Sequence, residues 1–126
     1  MKRREAREQA FQILFQLDIN EEEPQKALDD FLISEQNDLF LKALTEGVIT
    51  YKPKLDDAIA KNVENWSFSR IATAEKTILR MAVFEIQYMD DIPIAVTINE
   101  AVELANKYGD EKSGKFINGI LSKFSS

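Results

Sequence analysis

Apolar residues recur along most of this 126-residue chain at intervals of three and four, the spacing that gathers side chains on one face of an α-helix. Ala6, Ala10, Leu14 and Leu17 trace such a stripe over a helix predicted from about Arg4 to Ile19, and Phe11, Ile13 and Phe15 widen it. Asn20-Glu21-Glu22-Glu23 breaks the pattern. Pro24 suits the first turn of a second helix, where its missing N–H would go unpaired anyway, and Ala27, Leu28, Phe31 and Leu32 supply its apolar stripe. Residues 34–37 read as a loop. Asp38 opens a third helix through Leu41, Leu44, Val48 and Tyr51. Pro53 lacks an N–H and crowds the preceding turn, so it is expected to break or kink that helix, with Leu55, Ala58, Ile59 and Val63 continuing as a fourth segment.

Asn65-Trp66-Ser67-Phe68-Ser69 reads as a joint between two halves, with Trp66 and Phe68 as core plugs. The next helix, from about Thr73 to Met89, is the most apolar. Ile78, Leu79, Met81, Ala82, Val83, Phe84 and Ile86 leave few polar positions, so it should lie at the centre, covered on several sides. Asp90-Asp91-Ile92-Pro93 ends it. Thr97-Ile98-Asn99-Glu100 has the spacing of a capping box for a helix carrying Ala101, Val102, Ala105 and Tyr108, and Gly109 stands where a left-handed helix-ending residue belongs. Phe116, Ile117, Ile120, Leu121 and Phe124 mark the last helix. No segment alternates with period two between turn residues. The expected fold is all-α, about seven helices in one domain over residues 1–126, divided into packed helical subdomains at 1–64 and 65–126.

Composition narrows the chemistry. Cysteine and histidine are both absent, which excludes disulfides, Cys/His zinc sites and any nucleophilic triad built on histidine. Adjacent acids such as Asp56-Asp57 and Asp90-Asp91 point about 100° apart on a helix and do not converge as an acid/base dyad. An enzyme is therefore not expected, and neither is a cofactor or a metal. No apolar run is long enough to span a membrane, and the basic N-terminus lacks the apolar stretch of an export signal; the expected location is cytoplasmic.

The net charge of −6 argues against a nucleic-acid partner only until its distribution is considered. Lys2, Arg3, Arg4 and Arg7 crowd the N-terminus, and Lys107, Lys112, Lys115 and Lys123 lie near the C-terminus, while the middle is acidic. Charges interact within about a Debye length, ~8 Å at physiological salt, so a distant acidic face does not cancel a basic patch. Arg3, Arg4 and Arg7 share one side of the first turns by their spacing. Cations at a helix N-terminus oppose the macrodipole by ~0.3–1 kcal/mol, a cost that points to a function.

Several stretches resemble the NusB transcription antitermination family in the right order. Arg3-Arg4-Glu5-Ala6-Arg7-Glu8 through Asp18 is similar to its arginine-rich opening helix. Arg70-Ile71 and Glu75-Lys76-Thr77-Ile78-Leu79-Arg80-Met81-Ala82-Val83-Phe84-Glu85-Ile86 are similar to its central helix. Asp91-Ile92-Pro93, Ile98-Asn99-Glu100-Ala101-Val102-Glu103-Leu104-Ala105 and Lys115-Phe116-Ile117-Asn118-Gly119-Ile120-Leu121 resemble its C-terminal signature. The resemblance implies two packed helical subdomains and a role in ribosomal RNA synthesis. It implies that the protein acts with NusE, also a small-subunit ribosomal protein, binds single-stranded boxA RNA and connects it to RNA polymerase. A related module precedes a Rossmann-type domain in ribosomal RNA cytosine methyltransferases. The sequence here contains neither such a domain nor the cysteines that chemistry needs, so the stand-alone binding protein is the expectation.

A single RNA strand is held by cations on its phosphates and flat side chains against its bases. Lys2, Arg3, Arg4 and Arg7 are the expected cations, and arginine adds a planar fork. Tyr108, Lys112, Lys115, Phe116 and Asn118 form the second expected group: the lysines for phosphate, the aromatics for stacking, Asn118 for a base edge. Asp110 and Glu111 temper that group. Phe15 and Glu75 are the residues expected to face NusE. The alternative is a helical protein-interaction adaptor with incidental RNA affinity. The sequence leaves open whether the free chain is a monomer or a homodimer that masks its basic surface.

Overall fold

The first helix, α1 (Arg3–Asn20), turns Ala6, Ala10, Phe11, Ile13, Leu14 and Leu17 inward, the stripe its spacing requires. Glu21 closes it in the left-handed region at φ 52°. The computed structural model describes residues 1–21, 23, 26, 29, 38–63 and 67–125. Among these the chain forms four further α-helices, α2 (Leu39–Ala60), α3 (Thr73–Tyr88), α4 (Ile94–Tyr108) and α5 (Glu111–Leu121), with short 3₁₀ turns at Phe68–Arg70 and Ser122–Phe124 and no strand. None of these helices is long and apolar enough to cross a membrane.

The α-helices described thus number five where about seven are expected, for two reasons. The segment assigned to a second helix, from Pro24 to Leu32, falls largely outside the described residues, as do Asn65 and Trp66 of the joint and with them the expected subdomain boundary. The third and fourth expected helices are one: α2 runs unbroken through Pro53. An interior proline costs ~3 kcal/mol or more in lost hydrogen bonding and crowding. Leu55 and Ile59, both fully buried just beyond it, each contribute ~1.5–3 kcal/mol from burial and hold the chain in register.

Two end signals also act differently from expectation. The helix assigned to Thr97 opens four residues earlier, with Pro93 rather than Thr97 as its N-cap. Thr97 lies inside the first turn, its N–H already bonded to the Pro93 carbonyl, and its buried hydroxyl donates to Glu85. Gly109 has φ −124° rather than a left-handed conformation. It is needed for space: a Cβ there would lie 2.5 Å from the Ser113 Oγ, because Asp110 immediately caps α5 by accepting from the Ser113 N–H.

α3 is the central helix, as its composition predicts. Thr77 to Glu85 are buried without interruption, and α3 packs against α1, α2, α4 and α5. Buried residues of all five helices form one connected core. The α2/α3 contact is close at Gly47, where a Cβ would fall 2.1 Å from the Phe84 ring.

Candidate nucleic-acid interface

The start of α1 and the length of α4 lie side by side and are joined by a ladder of charged and polar side chains. Arg3 reaches Asp91 at 3.4 Å and places its guanidinium 4.9 Å from the Phe40 ring centre. Arg4 lays its guanidinium across two carboxylates of α4, with Nε 3.1 Å from Glu100 and Nη2 2.9 Å from Glu103. These contacts raise the Arg4 pKa above its ordinary value, the Glu100 hydrogen bond contributing most. One turn on, Lys107 donates to Glu8, which raises the lysine pKa, and Gln12 donates to the Tyr108 hydroxyl at 2.9 Å. Arg3 and Arg4 remain largely exposed while paired, so these bridges are the weak kind that exchange with solvent ions.

Arg7 departs from its expected place among the surface cations. Its side chain is 6% exposed and forms a two-pronged pair with Glu85 of α3, at 2.9 and 2.8 Å. Glu85, 2% exposed, also accepts from Thr97 of α4 at 2.9 Å. A buried charge needs such a full set of partners. The turn from Arg4 to Arg7 places the two residues on neighbouring but distinct faces; the one that meets the core takes the buried acid.

The second group is partly brought to the same place. Tyr108 is 37% exposed, rests its ring 4.6 Å from that of Phe11, and thereby joins the α1 seam. Lys112, Lys115 and Asn118 are exposed along α5, while Phe116 is half-buried against the core. Lys2 and Lys115 have no ion-pair partner among the described residues. Lys112 sits beside Asp110, whose pKa is lowered chiefly by the hydrogen bond from the Ser113 backbone N–H. Phe15 is half-buried and stacks on Phe11 at 5.5 Å, and Glu75 is half-buried in the first turn of α3. Phe68 packs against the core under the side chains of Lys76 and Arg80.

Pattern reading missed the acids that organise these cations: Glu85, Glu100 and Glu103. Glu85 carried a signal, a lone carboxylate in the most apolar helix, which implies a buried cation opposite. Arg80 carried the same signal; it bridges Asp18 at 2.8 Å and Asp56 at 2.6 Å, tying α3 to α1 and α2. Glu100 reads as the acid of a capping box but pairs with Arg4 instead, and Glu103 carried no signal, since it looks like an ordinary solvated position.

Among the described residues, one buried helix packed against four others, with ion pairs joining α1 to α4, defines a small all-α protein. The chain belongs to the NusB family, whose pattern matches residues 4–126. It is 55% identical over 123 residues to the transcription antitermination protein NusB of Oceanobacillus iheyensis, covering 98% of each chain. Its fold matches T. maritima NusB with a TM-score of 0.88 at 34% identity, over 99% of this chain and 91% of that one. It also matches a chain in the crystal structure of antitermination factors NusB and NusE in complex with dsRNA, with a TM-score of 0.84 at 28% identity, over 98% of this chain and 95% of that one.

Proposed function

We propose that this protein is an RNA-binding transcription antitermination factor. With NusE it binds single-stranded boxA RNA of ribosomal RNA leaders and supports processive transcription by RNA polymerase. Membership of the NusB family and the solved complex of a structural neighbour with NusE and RNA support this reading. The observation that carries it is the seam where exposed Arg3 and Arg4 share one edge with Tyr108. Lys2, Arg3 and Arg4 supply phosphate contacts, with Lys112 and Lys115 on α5 adding to them. Tyr108 and Phe116 offer rings for stacking, and Asn118 an amide for a base edge. Arg7 works from within: by pairing with Glu85 it fixes the α1 turn that bears Arg3 and Arg4. Phe15 on α1 and Glu75 on α3 form the surface for NusE.

Fluorescence anisotropy of a labelled boxA RNA against a scrambled strand, with and without NusE and over a range of salt, tests the reading. The expected result is a boxA preference that NusE strengthens, with log K falling by roughly 0.7 per phosphate contacted for each unit of log salt. Equal weak binding of both strands, unchanged by NusE, would favour an adaptor whose arginines serve a protein partner.

A further inference from the structure

Between the outer faces of α4 and α5 runs an open groove of about 790 Å³, within the ~300–1,000 Å³ of sites that take small organic groups. Its floor is apolar, with half-buried Ile98 and Val102 one turn apart on α4. Its walls are amides: Asn99 and Asn106, two turns apart on α4, face Asn118 on α5, all three exposed. Lys115 is the cation on its rim, and Glu111 the acid at one end.

We infer that this groove reads bases of single-stranded RNA, with Asn99 and Asn106 as specificity-determining residues; the inference rests on the RNA-binding reading above. An asparagine side chain presents one acceptor and two donors, the pattern a base edge complements, whereas arginine and lysine hold phosphates of any sequence. The apolar floor suits the flat face of a base. Lys115 stands where a phosphate of that strand would run, and Glu111, one turn before it on α5, repels the backbone at that end. Gly114 contributes by absence: a Cβ there would lie 2.0 Å from the Asn106 Oδ1, so the bare backbone lets the Asn106 amide lie against α5 and keeps the groove open. The groove is also continuous with the proposed site, since α5 begins three residues past Tyr108 and Asn118 belongs to both.

The test is anisotropy with boxA and scrambled RNA on four proteins: wild type, Asn99→Ala/Asn106→Ala, Gly114→Ala and Lys115→Ala. Circular dichroism checks that each is folded. The double variant should lose about tenfold in boxA affinity, leave scrambled RNA unchanged and keep its salt slope. Gly114→Ala pushes only the end of the Asn106 side chain, so it should fold and lose part of the same discrimination. Lys115→Ala should weaken both strands and reduce the slope by about 0.7. A wild type that prefers boxA, with a double variant that prefers it equally, would overturn the groove proposal and leave the RNA-binding reading standing. A wild type with no preference would overturn both. A double variant that binds RNA normally but loses NusE would assign the groove to protein and overturn the proposal.

Discussion

Arg7 and Glu85 form a buried two-pronged ion pair between α1 and α3, and Thr97 of α4 completes it by donating to the same carboxylate. Three helices meet at one acid. Removing one partner of such a pair strands the other charge away from water, at a cost of ~3–5 kcal/mol. Arg7→Ala should therefore lower the denaturant midpoint far more than Arg3→Ala or Arg4→Ala, which remove exposed pairs. Urea unfolding of the three variants measures this. Equal, small losses would mean that Arg7 is not held as described.

The Gly47–Phe84 contact makes an opposite kind of prediction. Alanine is intrinsically better in a helix than glycine by ~1 kcal/mol. At Gly47, however, the added Cβ would stand 2.1 Å from an aromatic carbon in the core, and overpacking costs ~1–3 kcal/mol. Gly47→Ala should be net destabilising. Combining it with Phe84→Leu should cost less than the sum of the two changes, because the smaller side chain gives the methyl room. Additive losses in a double-mutant cycle would contradict the close approach.

Arg4 is occupied before any RNA arrives. Glu100 and Glu103 hold its guanidinium, so a phosphate must displace them. Glu100→Gln/Glu103→Gln should raise affinity for boxA and scrambled RNA by a similar factor of about two to five, the scale of exposed ion pairs. The salt slope should steepen, since added salt no longer weakens an internal competitor as it weakens RNA binding. Anisotropy at several salt concentrations reads both effects. Unchanged affinity would show that Arg4 does not contact RNA.

The helices were legible where periodicity alone decides them: α1, α3 and α5 follow their apolar stripes, and α3 is central because its sequence leaves few polar positions. The misreadings share one cause, a local signal overruled by tertiary packing. Pro53 reads as a break, but Leu55 and Ile59 anchor α2 beyond it. Thr97 reads as a cap, but it lies inside the first turn, with its hydroxyl donating to Glu85. At the candidate site the cations were visible and their partners were not. Charge spacing groups Arg3, Arg4 and Arg7 on one side of a helix; only the packing of α3 and α4 decides which meets Asp91, which Glu100 and which the buried Glu85.

The cap of α5 should set a pH dependence of its own. The Ser113 N–H stabilises the Asp110 carboxylate and lowers its pKa in the folded protein. A lowered folded pKa means that the contribution is fully present above the unfolded carboxylate range, ~3.9, and is lost as pH falls through the lower folded value. The Ser113 amide should therefore shift in an NMR titration below that range, and stability should decline over the same interval. Asp110→Asn keeps a capping oxygen but has no proton to gain, so it should retain α5 while abolishing the titration at Ser113. Persistence of that titration in the asparagine variant would assign it to another acid, with Glu111 the nearest in sequence.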